Sequence, residues 1–448
     1  MINHLSIDGF AGGGGASCGL RMAGVDVTIA INHDPAAIRM HMVNHPKTLH
    51  LTEDIFQVDL SKYLKADDVV DVMWASPDCT SHSKAKGGQP RERGLRILPW
   101  AVYRLCDQIK TITGKLPVLL FMENVEEIQD WGPLDKKGHP IEREKGTEYQ
   151  KFMVSMWYLG FEYDTRVLVA ADYGAPTTRK RWYAVFRSDG KPICWPEPTH
   201  SKTGETSLLG TTKPWVPVST CLDFSDLGSS IFERKKPLAD ATLRRIANGI
   251  KKFVIDNPNP YFLPEQQAMP FLIQYHGERE NGEARGQTLS EPLKTIDTSN
   301  RYALVSVFIT KFYKTGTGQV VTEPLHTITT SPGHFGLVSV FLIKYYGSGA
   351  NGQSVDDPLA TITTKDRFGM VSTFLMRKHE KYAIADIYMR MLKPEELKLA
   401  QGFPRDYIID HDADGNPYPI KEQVAKIGNS VVPIMAAEIV KANLRSFR

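Results

Sequence analysis

Cys79 is the residue of this sequence best placed to do chemistry. It follows the apolar run 69–73 and a short segment, 74–78, and a polar stretch rich in Lys and Gly comes after it. An α/β protein binds ligands at the carboxyl ends of its strands, where a thiol is suited to nucleophilic attack. The pattern therefore predicts a strand ending just before Cys79 and a nucleophile at the mouth of the next loop.

Charged residues follow two further apolar runs. Residues 116–122 end at Glu123, and a carboxylate at the end of a buried strand is costly unless it has a partner or a task. A second strand candidate, 165–170, leads through a turn to three cations, 179–181, which favours an anion-facing edge. Both signals also have an ordinary interpretation, as an acid at a helix N-terminus and as a solvated basic patch.

The N-terminal segment has the pattern strand, glycine loop, helix, strand, at residues 4–7, 8–17, 18–23 and 25–31. Consecutive glycines let the backbone approach a ligand closely, and the following helix presents free N–H groups. A simple tight turn and a nicotinamide-binding site fit the same outline. Gly12 and Gly14 nearly match the dinucleotide fingerprint, but Ser17 replaces its last glycine and Asn32 stands where a ribose-binding acid is expected.

Composition bounds the class of protein. The chain has 448 residues, 42% hydrophobic and 23% charged, which is typical of a soluble globular protein with two lobes. Five scattered cysteines argue against a disulfide framework and for a reducing cytoplasm, and they show no zinc spacing, so no metal is expected. We expect neither a secretory signal nor a membrane span. With a net charge of only +3, a nucleic-acid partner would need a local basic surface.

Together the segments resemble the DNA cytosine-5 methyltransferase family of bacterial or phage type. The matching motifs are Asp-x-Phe-x-Gly-x-Gly-Gly from Asp8, Pro-x-Cys at Cys79, Glu-Asn-Val at Glu123, Arg-x-Arg at Arg179, and the C-terminal segments 391–396, 401–404 and 423–433. The resemblance covers roughly residues 4–190 and 385–440. A single motif of this kind is weakly specific, but several such motifs in the order typical of the family are strongly specific.

The resemblance implies a reaction at carbon 5 of cytosine. Cys79 would add to carbon 6 and make carbon 5 nucleophilic enough to accept a methyl group. Glu123 would stabilise the charge that develops at the ring's N3 edge and contact the exocyclic amine. Arg181, with Arg179 beside it, would face the base O2 and the nearby backbone. The target atom is out of reach inside a duplex, so base flipping is implied.

The implied methyl donor is S-adenosylmethionine, with S-adenosylhomocysteine as product. Phe10 would lie against its adenine and His33 would replace an aromatic partner of that ring, while Asp54 and Ile55 would contact the adenine edge. The predicted donor site comprises Phe10, Gly12, Gly14, Asn32, His33, Asp54, Ile55, Pro77, Asn429 and Ser430. A nicotinamide dehydrogenase would lack the Cys79, Glu123 and C-terminal motifs, which disfavours that interpretation.

Three residues depart from the family pattern. Asp78 stands where a proline is usual, and a carboxylate pointing at the thiol would raise its pKa. We expect it to point away. Asn32 replaces the usual ribose-binding acid, for which Asp34 could substitute, and Thr177 replaces a glutamine.

The polar stretch after Cys79, residues 80–96, is expected to be a mobile loop that closes over DNA and carries the thiol to the base. Its candidate phosphate contacts are Ser83, Lys84, Lys86, Arg91 and Arg93. An unremarkable surface loop is the alternative.

The middle of the chain carries an internal repeat. After a Pro-, Thr- and Ser-rich linker, 196–222, aromatic-apolar segments recur at 271–275, 308–312 and 341–345, and Pro-Leu-x-Thr-Ile recurs at 292–296, 324–328 and 358–362. This spacing predicts stacked hairpin-like units in the place of a target-recognition domain. The Pro-Leu pieces are interpreted as framework, and the loops 275–287, 313–319 and 345–353 as the base-reading candidates.

The predicted fold is an α/β, doubly wound, Rossmann-like methyltransferase domain, 1–195, completed by 420–448. A β-rich recognition domain, 196–419, is inserted, with three repeats of about 33–37 residues between 271 and 378. We expect a monomer acting on double-stranded DNA in the cytoplasm of a bacterial or phage-infected cell, with or without a cognate restriction endonuclease.

Two alternatives are a tRNA cytosine-5 methyltransferase and a catalytically silent DNA-binding relative. The long insert favours DNA, and the presence of Cys79, Glu123 and Arg181 disfavours a silent protein.

Overall fold

The computed structural model describes residues 3–78, 97–207, 210–266, 268–275, 285–311, 341–346, 349–354, 368–371, 374–377 and 380–444. Cys79 and the predicted DNA-contacting loop therefore lie outside the described residues. The chain divides into two compact units. Unit 1 comprises residues 1–222, 291–300 and 393–448, and unit 2 comprises 223–290 and 301–392.

The described α-helices are α1 Gly15–Met22, α2 Pro35–Asn44, α3 Leu98–Thr113, α4 Thr147–Leu159, α5 Asp240–Ile250, α6 Pro394–Ala400, α7 Ile420–Asn429 and α8 Pro433–Leu444. The strands of unit 1 are β1 His4–Gly9, β2 Ile29–Ile31, β3 Leu49–Leu51, β4 Val69–Ala75, β5 Leu119–Asn124, β6 Glu162–Val169, β7 Lys180–Arg187, β8 His200–Ser201, β9 Thr206–Ser207, β10 Gly210–Thr211 and β11 Lys213–Pro214. Those of unit 2 are β12 Ser229–Ser230, β13 Ala268–Gln274, β14 Gly286–Gln287, β15 Tyr302–Lys311, β16 Phe341–Tyr346, β17 Gly349–Ser354, β18 Phe368–Val371, β19 Phe374–Arg377 and β20 Glu380–Met391.

The main sheet of unit 1 has seven strands in the order β3-β2-β1-β4-β5-β7-β6. Strands β1 to β5 pair in parallel, whereas β7 is antiparallel to both β5 and β6. The strand order reverses between β1 and β4, and α/β sheets bind ligands at the carboxyl edge beside such a reversal. The predicted doubly wound α/β fold is confirmed.

Two hydrophobic layers cover the two faces of this sheet, because successive strand residues point to opposite sides. In β4, Met73 and Ala75 pack in the layer that contains residues of α3 and α4. Val72 and Trp74 pack in the other layer, which contains residues of α1 and α8. The apolar alternation of the strands thus builds a core on both faces and fixes which strand ends lie next to each other.

The second strand is shorter than its predicted span of 25–31. The hydroxyl of Thr28 donates to the Ser6 carbonyl at 2.7 Å and accepts from the Ser6 amide at 2.9 Å, so a side chain takes over part of the strand pairing. The apolar run 116–122 also differs from prediction, because β5 extends beyond it through Glu123 and Asn124. Glu123 is therefore a strand residue with a defined direction.

The predicted linker 196–222 packs on unit 1. The indole of Trp215 donates to the Asp172 carboxylate at 2.9 Å, and the Thr199 amide donates to the Asp172 carbonyl at 2.9 Å. The observed units differ from the predicted domain boundaries at this segment, and also at 291–300 and 393–419, which belong to unit 1. Hydrogen bonds such as that between Trp215 and Asp172 fix this segment, whose Pro-rich composition had predicted a linker.

Unit 2 is β-rich. Its largest sheet has the order β12-β20-β15-β13-β14, with β19 also paired to β20, around a core that includes Phe271 and Val305. The aromatic-apolar segments at 271–275, 308–312 and 341–345 begin in strands β13, β15 and β16. Of the Pro-Leu pieces, the first lies in unit 1, and the other two fall outside the described residues.

Candidate active site

A cavity opens at the carboxyl edge of the sheet in unit 1, beside the strand reversal. Its wall combines the end of β1, the glycine loop, the start of α1, the end of β4 and the residues that follow α7. The lining residues are Asp8, Phe10, Gly12, Gly13, Gly15, Ala16, Ser76, Asn429, Ser430 and Val431. Four predicted donor-site residues are thus brought together by this cavity: Phe10, Gly12, Asn429 and Ser430.

The glycine loop has an unusual backbone at Phe10, whose φ is 91°. A side chain with this left-handed backbone is strained by roughly 1–3 kcal/mol, and such strain is held by surrounding structure. Here the amides of Phe10 and Ala11 both donate to the Ile31 carbonyl, at 3.0 and 2.9 Å. The end of β2 thereby holds the Phe10 backbone in the turn that brings this residue to the cavity wall.

Gly14 supports the loop from behind the cavity. Its φ of 82° suits glycine, and a Cβ at this position would overlap the hydroxyl of Tyr407. The Tyr407 hydroxyl in turn donates to the Gly13 carbonyl at 2.8 Å. Sequence reasoning missed Tyr407, because the hydrogen bond joins residues almost 400 positions apart.

Gly15, the first residue of α1, allows the glycine loop to approach the C-terminal segment. A Cβ there would overlap the backbone carbonyl of Val431, whereas a Cβ at Gly12 has nothing within 4 Å. We expect Gly15→Ala to lower the free energy of unfolding by about 2 kcal/mol, because backbone cannot yield as a flexible side chain does. Urea unfolding measures this loss, with Gly12→Ala as the control. Equal stability of the two variants would contradict the prediction.

The C-terminal wall of the cavity is held by several hydrogen bonds. The Ser430 hydroxyl donates to the Lys426 carbonyl at 2.8 Å, and the Gln401 amide donates to the Ser430 carbonyl at 2.9 Å. Lys426 also forms an ion pair with Asp34. Although partial burial raises the pKa of Asp34, the hydrogen bond and charge of Lys426 give a net lowering. Asp34, which could have replaced the ribose-binding acid, is thus engaged with Lys426 and with the α2 amide of Ala36.

The remaining predicted donor-site residues lie at neighbouring strand ends and are not among the cavity-lining residues. Asn32 follows β2 and accepts from the Asp34 amide at 2.8 Å, and His33 is exposed. Asp54 is exposed and Ile55 is buried in the core. Gly14 and Pro77 are adjacent in the sequence to lining residues, namely Gly13, Gly15 and Ser76.

An ion pair joins two predicted catalytic residues. Nε of Arg181 in β7 lies 3.2 Å from Oε1 of Glu123 in β5, and the side chains are 12% and 9% exposed. The strands are antiparallel neighbours, with Glu123 opposite Tyr183. Burial and then the charge of Glu123 raise the pKa of the Tyr183 hydroxyl. At these low exposures the carboxylate and the guanidinium attract each other more strongly than an exposed pair would, which favours a fixed relative position.

Asn124 connects this pair to the segment that precedes Cys79, the predicted nucleophile. Its side-chain amide donates to the Pro77 carbonyl at 3.0 Å, and so ties the end of β5 to the chain just after β4. Cys79 follows Pro77 by two residues and is itself outside the described residues, as are Ser83, Lys84, Lys86, Arg91 and Arg93. The side chain of Asp78 is exposed.

Arg179 was predicted to face the base and the nearby backbone together with Arg181, but its guanidinium makes other contacts. Its guanidinium is buried, and Nη1 donates to the carbonyls of Ile296 at 3.1 Å and Gly428 at 3.0 Å. Thr177, which replaces the family's usual glutamine, is fully buried, and its hydroxyl accepts from the Arg179 amide at 3.3 Å. These contacts place Arg179 in a structural junction of unit 1.

A buried chain of polar groups, missed by sequence reasoning, begins at the cavity. The Ser17 hydroxyl lies 2.6 Å from the Asp8 carboxylate and 2.8 Å from His41 Nε2, and His41 Nδ1 lies 2.8 Å from His50 Nε2. Burial raises the pKa of Asp8 to about 6. Burial, with the neighbouring histidines, lowers the pKa of His41 well below its ordinary value. These buried polar groups thus favour neutral histidines in the folded protein.

The burial of histidines predicts that the folded protein becomes less stable as the pH is lowered. Burial and then the charge of Arg21 lower the pKa of His45 from 6.5 to about 4, so its contribution is complete above pH 6.5 and is lost towards pH 4. Asp8 acts oppositely between pH 6 and 4, and His41 acts in the same direction as His45. We expect His45→Gln to remove about 2–3 kcal/mol of the loss between pH 7 and 4.5. Urea unfolding across this range tests the change.

The control for this prediction is His139→Gln, because the His139 side chain is 46% exposed. This variant should follow the wild-type pH dependence. An unchanged pH dependence in His45→Gln would contradict the proposed effect of burial.

The fold and cavity define an α/β protein with a ligand site at the strand reversal, of the kind that binds nucleotide-like molecules. The chain belongs to the C-5 cytosine-specific DNA methylase family, whose model matches residues 5–238, more than half of the chain. The resemblance inferred from the sequence motifs is thereby confirmed.

Several curated relatives are Type II methyltransferases. M.AquIA of Picosynechococcus is 29% identical over 210 residues, which cover 45% of this chain and 78% of the relative. M.AgeI of Thalassovita gelatinovora is 29% identical over 213 residues, covering 47% of this chain and 45% of the relative. Among solved structures, the S. pombe Dnmt2 methyltransferase matches over 100% of both chains, at 14% identity and a TM-score of 0.49.

The chain covers most of M.AquIA but only about half of the next relatives. Among the helices that the structure describes, none has both the length and the apolar composition needed to cross a membrane. Within the same described residues, no cluster of His, Cys, Asp and Glu has a metal-binding arrangement.

Proposed function

We propose that this protein methylates carbon 5 of cytosine in duplex DNA, with S-adenosylmethionine as donor. The observation that carries the proposal is the buried Glu123–Arg181 pair, which Asn124 ties to the segment just before Cys79. A family whose substrate is cytosine needs a nucleophile, an acid at the N3 edge and a cation in that arrangement. The match to the C-5 cytosine-specific DNA methylase model supports the same reaction.

The proposed reaction starts with addition of the Cys79 thiolate to carbon 6 of a flipped cytosine. Glu123 stabilises the ring at N3 as the electrons move, and Arg181 faces the base O2 while it orients Glu123. Carbon 5 then takes the methyl group, with S-adenosylhomocysteine as the leaving group. A base removes the C5 proton, and the electrons of the C5–H bond re-form the C5–C6 double bond and expel the Cys79 thiolate. Because Arg181 pairs with Glu123 at low exposure, the carboxyl group is in place before the base arrives.

The cavity fits the proposed donor. Its floor is glycine backbone at Gly12, Gly13 and Gly15, at the start of α1, where peptide N–H groups favour a negatively charged group. Phe10 offers an aromatic surface for adenine, and Asn429 and Ser430 offer hydrogen bonds from the opposite wall. When bound there, S-adenosylmethionine would supply the methyl group. Asn32, His33, Asp54, Ile55 and Pro77 remain proposed donor contacts from the adjoining strand ends.

Unit 2 is the proposed target-recognition part, and the loops 275–287, 313–319 and 345–353 are its proposed base readers. Ser83, Lys84, Lys86, Arg91 and Arg93 are proposed to contact phosphates next to the flipped nucleotide. Several curated relatives are Type II methyltransferases, which supports a role in a restriction-modification system. We further propose a monomer in the cytoplasm, acting with a cognate endonuclease or alone.

The proposal is tested with methyl-labelled S-adenosylmethionine and either bacterial duplex DNA or tRNA as acceptor. We expect label in DNA as 5-methylcytosine, and a stable protein adduct with duplex DNA that contains 5-fluorocytosine, since the fluorine cannot leave carbon 5 as a proton does. Label in tRNA alone would favour the tRNA enzyme, and tight DNA binding without transfer would favour a silent relative. Sequencing of the modified DNA would identify the recognition site.

A further inference from the structure

Residues 291–300, here named the crossing segment, belong to unit 1 although the chain on both sides forms unit 2. The segment is bound to the turn between β6 and β7 by reciprocal hydrogen bonds. The Thr178 amide donates to the Leu293 carbonyl at 2.8 Å, and the Leu293 amide donates to the Pro176 carbonyl at 2.8 Å. Leu293 and Ile296 are both buried. The crossing segment is therefore anchored to unit 1.

Arg179 joins this segment to the end of α7. One guanidinium nitrogen, Nη1, donates both to Ile296 of the crossing segment, at 3.1 Å, and to Gly428 of α7, at 3.0 Å. The two backbones are also in direct contact, because a Cβ at Gly428 would overlap the Asp297 carbonyl. A planar guanidinium suits such a junction, since its donors have fixed directions and its charge is retained when buried.

The junction lies between the two parts of the proposed site. Gly428 is followed directly by Asn429 and Ser430, which line the cavity. Arg181, two residues after Arg179, forms the ion pair with Glu123. A displacement of the crossing segment would thus act through Arg179 on the cavity wall and on the strand that carries Arg181.

We propose that Arg179 is a positioning residue that couples DNA binding to donor binding through the crossing segment. This inference rests on the proposed function, in which unit 2 binds DNA. Both ends of the crossing segment continue into unit 2, and in this proposal the effect of bound DNA on unit 2 reaches the junction along these two chain connections. Order imposed on the junction by one ligand favours the other, and by linkage the two affinities change by the same factor.

The test uses Arg179→Lys, which keeps the positive charge but loses the planar donor geometry. Calorimetry gives the Kd of S-adenosylhomocysteine with and without a duplex that holds the methylated sequence. We expect the duplex to strengthen binding to the wild-type protein about 5-fold or more, and to have little effect on the variant. In the wild-type protein, S-adenosylhomocysteine should strengthen duplex binding by the same factor. In the variant this effect should also be small.

Arg187→Lys is the matched control. Arg187 is also a buried arginine of unit 1, and its Nη1 donates to the carbonyls of Pro192 at 3.2 Å and Asn443 at 3.4 Å. We expect this variant to lose stability but to retain the coupling factor. A coupling factor in Arg179→Lys equal to that of the wild type, or its absence from the wild type, would overturn the inference. Failure of the wild type to methylate DNA would instead refute the proposed function.

A second measurement needs only the wild-type protein. The amides of Leu293 and Thr178 form the hydrogen bonds of the crossing segment, so their hydrogen exchange reports on the junction. We expect S-adenosylhomocysteine alone to slow exchange at both amides, although it would bind at the cavity. Unchanged exchange at these amides would also overturn the inference.

Discussion

Replacement of Cys79 by serine is expected to abolish both methyl transfer and the adduct with 5-fluorocytosine DNA. Addition to carbon 6 requires an anionic nucleophile, and a serine hydroxyl ionises far less readily than a thiol. Removal of an enzyme's nucleophile commonly costs several orders of magnitude in rate, so we expect a loss of at least roughly 10⁴-fold. Single-turnover transfer of a labelled methyl group measures the rate, and a denaturing gel detects the adduct.

Cys194→Ser is the control for this prediction. Cys194 is a partly exposed free cysteine whose sulfur lies 3.9 Å from the Pro192 carbonyl, so its replacement should leave the rate unchanged. Cys79→Ser should still bind S-adenosylhomocysteine, since the cavity-lining residues are intact. An adduct of wild-type yield in Cys79→Ser would refute the assignment of the nucleophile.

Glu123→Gln is expected to have the second largest effect. The amide keeps the shape of the side chain but removes the charge opposite Arg181 Nε, which lies 3.2 Å from the carboxylate. A carboxylate can also take up a proton and deliver it to N3 as the charge develops there, which an amide cannot do. General acid–base groups contribute about 10²–10⁴-fold, and we expect kcat to fall by that factor. Steady-state methylation of duplex DNA at saturating donor measures the change.

Glu126→Gln is a close control, because Glu126 lies three residues from Glu123 but is exposed and pairs with Lys180 at 2.9 Å. An exposed pair contributes little, so this variant should retain activity. Glu123→Gln should also slow formation of the 5-fluorocytosine adduct, since N3 stabilisation assists the addition step. Full activity of Glu123→Gln would show that the pair with Arg181 is structural.

The fold class could be predicted because its signals are local. Apolar runs that end at Cys79 and Glu123, and the glycine loop after β1, have the periodicity and turn residues of parallel strands. Their order along the chain matches a known family, and the strand pairing confirms the α/β sheet. Exact strand limits were less predictable, since at the start of β2 the Ser6 amide donates to the Thr28 hydroxyl, although the Thr28 amide still donates to the Ser6 carbonyl.

The site was predictable only in part. The family resemblance assigned Phe10, Gly12, Asn429 and Ser430 to one ligand, and the structure brings them to one cavity. The partners that hold them were not predictable, because Tyr407 reaches Gly13 from a distant segment. Arg179 and Arg181 look alike in the sequence, yet one contacts backbone carbonyls and the other a carboxylate.

The sequence by itself therefore determined the family and the fold class, and it proposed the residues that carry the chemistry, Cys79 and Glu123 among them. These depend on residue type and on short-range order. The tertiary structure alone decided that Arg181 pairs with Glu123, that Arg179 joins Ile296 to Gly428, and that the crossing segment belongs to unit 1. Such contacts join segments more than 50 residues apart, and the packing that closes them leaves no local pattern in the chain.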